Sequence, residues 1–161
     1  AAKYGHLNIL QYLCQTLELN PSILLYAAQW NRTEILQWAC ENGCPLPTTF
    51  PYPTRQTDIC ANLARHGNLA MLKVLRDKGC EWNAETMFAA AKYGHLEVFQ
   101  WTIEEKCPTC DMNFAFEEAA CNGHLNIAQH VHEKIQKVAP NTVARKCIAD
   151  KVCKNGYMHE T

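Results

Sequence analysis

The 161-residue sequence lacks any block of one charge sign and any long apolar run. Its 15 basic and 16 acidic residues leave a formal net charge of −1. Binding to nucleic acid or to an anionic membrane needs a dense basic patch, so neither partner is expected. The apolar stretches last only a few residues, which is too short for a transmembrane helix. The chain also lacks a signal peptide and an initiating Met, and we expect it to be a piece of a longer protein.

Motifs for catalysis are missing as well. The sequence has no glycine-rich phosphate loop and no paired carboxylates within a nucleotide-binding motif. Of its seven histidines, three belong to repeated Gly-His pairs, where the imidazole is expected to tie one turn to the next by hydrogen bonds. The other four have no Ser or Cys nucleophile at motif spacing. The sequence therefore predicts a protein without enzymatic activity and without a cofactor.

What the sequence does contain is an internal repeat. Residues 1–13 read AAKYGHLNILQYL, and residues 90–102 read AAKYGHLEVFQWT. Alignment on the glycine of this stretch reveals five units, spaced by 26, 36, 27 and 29 residues, in which the equivalents of Gly5 are Asn31, Gly67, Gly94 and Gly123. Glycine, with asparagine next, is typical of a residue that ends a helix in the left-handed region.

Each unit predicts one helix before this residue and one after it. A small pair such as Ala90-Ala91 precedes the glycine, where small side chains let a neighbouring helix approach closely. After the glycine, a broad apolar face recurs two, four, five and eight positions on, as at Leu96, Val98, Phe99 and Thr102. Predicted helix starts lie at Asn20-Pro21, Asn83 and Asn113. The prediction is an all-α fold of helix pairs.

The pattern Ala-Ala-x-x-Gly-His-Leu-x-(apolar)-(apolar), followed by a polar stretch and Gly-Cys, resembles ankyrin repeats. It is most similar to a short-period variety, with units of about 26 instead of about 33 residues. The resemblance implies an ankyrin-like solenoid of stacked antiparallel helix pairs with reduced or absent hairpins. It covers residues 1–136 as five units, although Asn31-Arg32 and Gly67-Asn68 replace the Gly-His pair in two of them.

Two regions depart from the repeat period. Four prolines fall within residues 45–53, which predicts an extended, exposed loop inserted in the 36-residue spacing. The apolar pattern degrades beyond residue 136, so residues 137–161 are interpreted as a degenerate repeat or a C-terminal cap or tail.

Ten cysteines are many for this length. Secreted disulfide frameworks belong to small, loop-rich chains, and this chain is rich in helix formers. We therefore expect thiols and an intracellular, cytoplasmic location. Cys44, Cys80 and Cys107 recur just past the second helix of three units and are interpreted as small buried groups. A zinc site is an alternative for four residues with suitable ligand chemistry, Cys107, Cys110, Cys121 and His124.

The resemblance to ankyrin repeats implies protein recognition at the ends of the first helices. Residues two and one before each glycine form what we call the helix-end ladder: Lys3-Tyr4, Gln29-Trp30, Arg65-His66, Lys92-Tyr93 and Cys121-Asn122. Phe50 and Tyr52 of the insert are further candidates for contact with a ligand. The expected function is a non-catalytic, monomeric scaffold that binds another protein. The alternatives are a structural spacer and the substrate-recognition part of a larger protein such as a ubiquitin-ligase adaptor.

Overall fold

The computed structural model describes residues 1–15, 18–46, 58–107 and 111–138. These residues form one 3-10 helix, Ala2–Tyr4, and nine α-helices, with no β-strand among them. The α-helices are α1 Leu7–Leu13, α2 Ser22–Gln29, α3 Thr33–Glu41, α4 Ile59–Arg65, α5 Leu69–Asp77, α6 Ala84–Tyr93, α7 Leu96–Glu104, α8 Met112–Cys121 and α9 Leu125–Val138. The prediction of an all-α fold is confirmed. Most of the proline-rich insert and all but the first two residues of 137–161 lie outside the described residues.

The helices pack in pairs that follow the units of the sequence. Within a unit, α2 contacts α3, α4 contacts α5, α6 contacts α7, and α8 contacts α9. Between units, the first helices touch in chain order, from the 3-10 helix through α2, α4 and α6 to α8. The second helices also meet, as α3 with α5 and α7 with α9. Each unit thus buries its apolar faces against its sequence neighbours.

Every first helix ends at a residue with positive φ, as the repeated glycine predicts. The values are 82° at Gly5, 49° at Asn31, 70° at Gly67, 81° at Gly94 and 77° at Gly123. Asn31 is the only one of the five with a side chain, and asparagine tolerates this region better than most residues. The predicted helix ends are confirmed.

The apolar face of the second helices is narrower than the sequence predicts. The residues four, five and eight positions after the glycine are buried in the fourth unit, at Val98, Phe99 and Thr102. The residue two positions after it is only half-buried at Leu96 and is 66% exposed at Leu125. The predicted burial of Leu96 is therefore wrong. Leu96 is the first residue of α7 and packs against the core only in part, because a helical side chain leans toward the N-terminus and here lies over the turn.

The first unit buries less of this face than the others. Ile9, which is equivalent to Val98, remains 51% exposed, and Leu13, which is equivalent to Thr102, is also exposed. In the described chain this unit packs against a neighbour on one side only, so the same residue positions find fewer partners.

Side-chain caps fix the starts of four first helices, and in α4 Asp58 Oδ1 accepts a hydrogen bond from the Ala61 amide at 2.9 Å. The Asn20 Oδ1 atom accepts a hydrogen bond from the Ser22 amide at 2.9 Å, and Asn83 Oδ1 accepts one from the Glu85 amide at 2.8 Å. Both predicted starts are confirmed. The start predicted at Asn113 is wrong, because Asp111 caps α8 by accepting from the amides of Asn113 and Phe114. A carboxylate at this position also offsets the positive end of the helix dipole.

One hydrogen bond recurs at the boundaries between units. His95 Nε2 donates to the carbonyl oxygen of Arg65 at 2.9 Å, and His124 Nε2 donates to that of Lys92 at 2.8 Å. Both acceptors lie two residues before the glycine of the preceding unit. The expectation that the repeated histidines tie one turn to the next is confirmed for these two.

The two units without a Gly-His pair keep this bond with other donors. Arg32 Nε donates to the carbonyl oxygen of Lys3 at 3.2 Å, and His66 Nε2 donates to that of Gln29 at 2.9 Å. The carbonyl two residues before the glycine is therefore bonded at all four boundaries between the five units. The acceptor stays constant along the chain while the donor varies.

The histidine rings lie directly on the glycines of the preceding units. A Cβ atom at Gly94 would stand 2.6 Å from His124 Nδ1, and one at Gly67 would stand 2.5 Å from His95 Nδ1. Asn31 has room for its side chain because Asn68, and not histidine, faces it from the next unit. Asn68 Nδ2 donates to Asn31 Oδ1 at 2.9 Å. Glycine is thus required for space as well as for its backbone conformation.

The burial of Phe99 gives a first prediction. Its side chain has no exposed surface, so Phe99→Ala should lower the free energy of unfolding by about 3–5 kcal/mol. Leu125→Ala removes a largely exposed side chain and should change it by less than about 0.5 kcal/mol. Urea denaturation followed by circular dichroism measures both. Losses of equal size would show that the inward face is assigned incorrectly.

The contact between histidine and glycine gives a second prediction. Gly94→Ala should destabilise by about 2–4 kcal/mol, because it strains a left-handed residue and displaces the His124 hydrogen bond. Gly123→Ala is the matched control, since its φ is 77° and no atom of the described residues lies within 4 Å of the point where its Cβ would stand. This substitution should lower the free energy of unfolding only by the cost of a left-handed backbone at alanine, about 1–2 kcal/mol. If the two urea midpoints shift equally, the ring contact contributes nothing.

Candidate functional site

The helix-end ladder brings cations and aromatic rings of neighbouring units together. Lys3 Nζ lies 5.0 Å from the centre of the Trp30 ring and 5.3 Å from that of Tyr4. Arg65 Cζ lies 5.2 Å from the centre of the Tyr93 ring, one unit further along. These distances fall within the range of cation–π attraction. Part of the ladder is therefore ordered by contacts across unit boundaries.

The three rings of this ladder remain accessible. Tyr4 is 65% exposed, Trp30 45% and Tyr93 41%. A ring that is half-covered by a cation and by its own helix loses little side-chain freedom on binding. The ladder thus presents aromatic surface that is exposed and already positioned.

Other members of the ladder have structural contacts. His66 donates to the carbonyl of Gln29. Lys92 Nζ lies 3.7 Å from Glu118 Oε2, in a partly exposed ion pair. Asn122 Nδ2 donates to the Glu118 carbonyl at 2.7 Å and so holds the last turn of α8. The side chains of these three residues therefore stabilise the fold in addition to being accessible to solvent.

The exposed face extends further along the first helices than the sequence predicts. Tyr26 on α2 is 51% exposed, and the rings of Phe88 on α6 and Phe114 on α8 meet edge to face at 4.5 Å between centres. These three aromatics lie between five and nine residues before the glycine. Counting back one helical turn from Trp30 reaches Tyr26, so the 3.6-residue period could have found it.

A shallow groove runs across α4, α6 and α8 on this face. Arg65 lines it from α4, Phe88 and Tyr93 from α6, and Phe114 and Glu118 from α8. Basic and acidic side chains both border it, with Arg65 and Lys92 near the helix ends and Glu85 and Glu118 further back. The lining of the groove thus combines aromatic rings with side chains of both charge signs.

The insert candidates, Phe50 and Tyr52, lie outside the described residues. Of the insert, Pro45 and Leu46 are described, and Leu46 packs partly buried against the core.

The proposed zinc ligands have separate contacts where they are described. Cys107 is buried with its Sγ 3.2 Å from the Asn83 carbonyl oxygen, and His124 bonds Lys92. Cys121 is exposed at the end of α8, and Cys110 lies outside the described residues. Among the residues that the structure describes, no three His, Cys, Asp or Glu side chains are grouped as metal ligands.

The repeated cysteines past the second helices are buried, as the sequence predicts. Cys44, Cys80 and Cys107 each keep less than a tenth of their surface exposed. Burial raises the pKa of the Cys44 thiol to about 11, and the nearby sulfurs of Cys40 and Cys14 act in the same direction. Burial also raises the pKa of Cys40. Both thiols therefore stay protonated near neutral pH.

None of the helices in the described part of the chain is long and apolar enough to cross a membrane. Comparison with protein-family models, with curated proteins and with solved structures finds no match.

The raised thiol pKa values give a prediction for alkylation. Cys40 and Cys44 share the tryptic peptide 33–55, so mass spectrometry reports the two together. In the folded protein, their labelling by iodoacetamide should keep rising from pH 9 to pH 11, because the thiolate forms only in that range for Cys44. In the urea-unfolded protein it should level off above about pH 9. A folded profile that levels off with the unfolded one would contradict the assigned burial.

Proposed function

We propose that the chain is an ankyrin-like repeat solenoid that binds another protein through the exposed side of its first helices. Binding is its whole biochemical role in this proposal, and the chain acts as a monomer. The intracellular, cytoplasmic location expected from the cysteine content fits such a role.

The contacts between units support the solenoid. In repeat proteins each unit packs only on its neighbours, so equivalent contacts recur at every boundary. Here the first helices meet in chain order, and the same backbone carbonyl accepts a hydrogen bond from the next unit each time. The left-handed residue at every first-helix end repeats the same turn. These regularities are what the resemblance to ankyrin repeats implies.

The distribution of exposed aromatic side chains carries the functional proposal. Within the described residues, six aromatics rank as exposed: Tyr4, Tyr12, Tyr26, Trp30, Tyr93 and Phe114. All except Tyr12 belong to the first helices or their ends. Rings gathered on one side of a scaffold, with scattered charges around them, are typical of a protein-binding surface.

The residue types on this side suit binding energetics. Trp, Tyr and Arg contribute most of the energy in protein interfaces, and Trp30, Tyr93 and Arg65 are all present. Because Arg65 already stacks on Tyr93, a partner would meet this pair in a held geometry. Holding the pair before binding reduces the entropy that association costs.

Three alanine variants test this proposal against a partner retained on the immobilised chain. Trp30→Ala and Tyr93→Ala should each weaken binding by about 2 kcal/mol, or about 30-fold, measured by calorimetry. Tyr12→Ala is the matched control, since it removes an exposed ring from α1, a second helix, and should bind as the unmodified chain does.

Melting temperatures separate recognition from scaffolding in the same variants. Trp30 and Tyr93 lose a cation–π contact, worth about 0.5–1 kcal/mol at an exposed site, so their melting temperatures should fall only slightly. If the two variants bind normally and lose only stability, the ladder is scaffold, as a structural spacer would require. An equal loss of affinity in all three variants would show that the binding surface lies elsewhere.

A further inference from the structure

The third unit places two cysteine side chains against each other. Cys60 is the second residue of α4 and has no exposed surface, while Cys80 follows α5 and is 8% exposed. Their Sγ atoms lie 3.7 Å apart. The two sulfurs are in van der Waals contact, and a disulfide bond of about 2.0 Å requires them to approach by about 1.7 Å.

This pair departs from the repeat pattern. The position of Cys60 holds Leu24 in the second unit and Met87 in the fourth, and both are fully buried. The position of Cys80 holds Cys44 and Cys107, whose thiols lie near the backbone carbonyls of Asn20 and Asn83. The fold therefore accepts an ordinary apolar side chain where the third unit has Cys60.

The surroundings distinguish the two thiols. Cys60 Sγ lies 3.7 Å from Cys80 Sγ and 3.4 Å from the carbonyl oxygen of Glu81, which is 3.7 Å from Cys80 Sγ as well. The sulfur–sulfur hydrogen bond, together with burial, raises the pKa of Cys60, and the same bond lowers the pKa of Cys80. The guanidinium of Arg76, which donates to the Cys80 carbonyl and lies 4.6 Å from the centre of the Trp82 ring, also lowers the pKa of Cys80. Burial and the carboxylates of Asp58 and Glu81 act against this. Cys80 is thus the thiol that ionises first, and it is also the more accessible one.

We propose that Cys60 and Cys80 form a redox pair that closes a disulfide when a hydroperoxide oxidises it. The Cys80 thiolate attacks the O–O bond of hydrogen peroxide, becomes a sulfenic acid and releases hydroxide, which takes up a proton to give water. The Cys60 sulfur then attacks the Cys80 sulfur, and the sulfenic hydroxyl leaves as a second water with the Cys60 proton. The two thiols supply two electrons, and the peroxide is reduced to two waters.

The disulfide would cross-link the third unit, whose helix α4 is the first described helix after the proline-rich insert. It joins the first turn of α4 to the residues just past α5, within one unit. At seven residues, α4 is shorter than the ten-residue helices α6 and α8. A cross-link between its start and the end of its partner should raise the thermal stability of the chain. This inference stands apart from the proposed function.

Tryptic mapping tests the pair directly, because each cysteine falls in its own peptide. Residues 56–65 contain only Cys60, and residues 79–92 contain only Cys80. The whole chain is treated with hydrogen peroxide under native conditions, then unfolded in the presence of the alkylating reagent and digested. We expect the two peptides to appear as one cross-linked species that dithiothreitol separates, with a melting temperature several degrees above that of the reduced chain.

Two variants complete the test. Cys60→Met copies the residue of the fourth unit and should fold, yet show neither the cross-link nor the rise in melting temperature. Cys80→Ala, which keeps the Cys60 thiol, should behave in the same way. The proposal is overturned if both peptides of the unmodified chain still take up the alkylating reagent after peroxide treatment. It is equally overturned if the Cys80 peptide is found linked mainly to a peptide other than 56–65.

Discussion

The hydrogen bond from each unit to the last turn of the preceding first helix is the constraint on which the described chain depends. It ends on a carbonyl that a helix leaves without a partner inside the helix. At the last two boundaries the donor is a histidine ring that lies on a glycine. One interaction therefore satisfies the helix end, sets the approach of neighbouring units and forbids a side chain at the turn.

The same bond positions the side chains of the helix-end ladder. The backbone carbonyls of Lys3 and Arg65 accept the hydrogen bonds from the next unit. Their side chains extend over an aromatic ring of that unit. A rigid backbone on the buried side thus holds an exposed row on the other side. Apart from His66, whose ring donates the bond to Gln29, residues in such a row can change without disturbing the bond, because the acceptor is a main-chain oxygen. At the boundaries after Lys3 and Arg65, the buried contact and the exposed row therefore use different atoms of the same residues.

Sequence patterns predicted the features that depend on backbone conformation and on period. The positive φ at Gly94 and Asn31, the burial of Phe99 and the bond made by His124 all followed from residues that recur at fixed offsets. Leu96 and Asp111 were missed because their roles depend on the position of a helix end, which shifts by a residue or two without altering the period. Phe88 and Phe114 were missed because only their meeting across two helices makes them one surface.

The second boundary shows how the constraint acts. Asn31 replaces glycine there, and the residue facing it from the next unit is Asn68 in place of histidine. With the ring gone there is room for the asparagine side chain, and the two amides bond each other. The carbonyl of Gln29 then receives its hydrogen bond from His66, two positions earlier. Three residues from two units have changed together while the bonded oxygen has stayed the same. At this boundary the contact between units is therefore kept by matched residues, because Asn31 and the Asn68 that faces it depart from the pattern together.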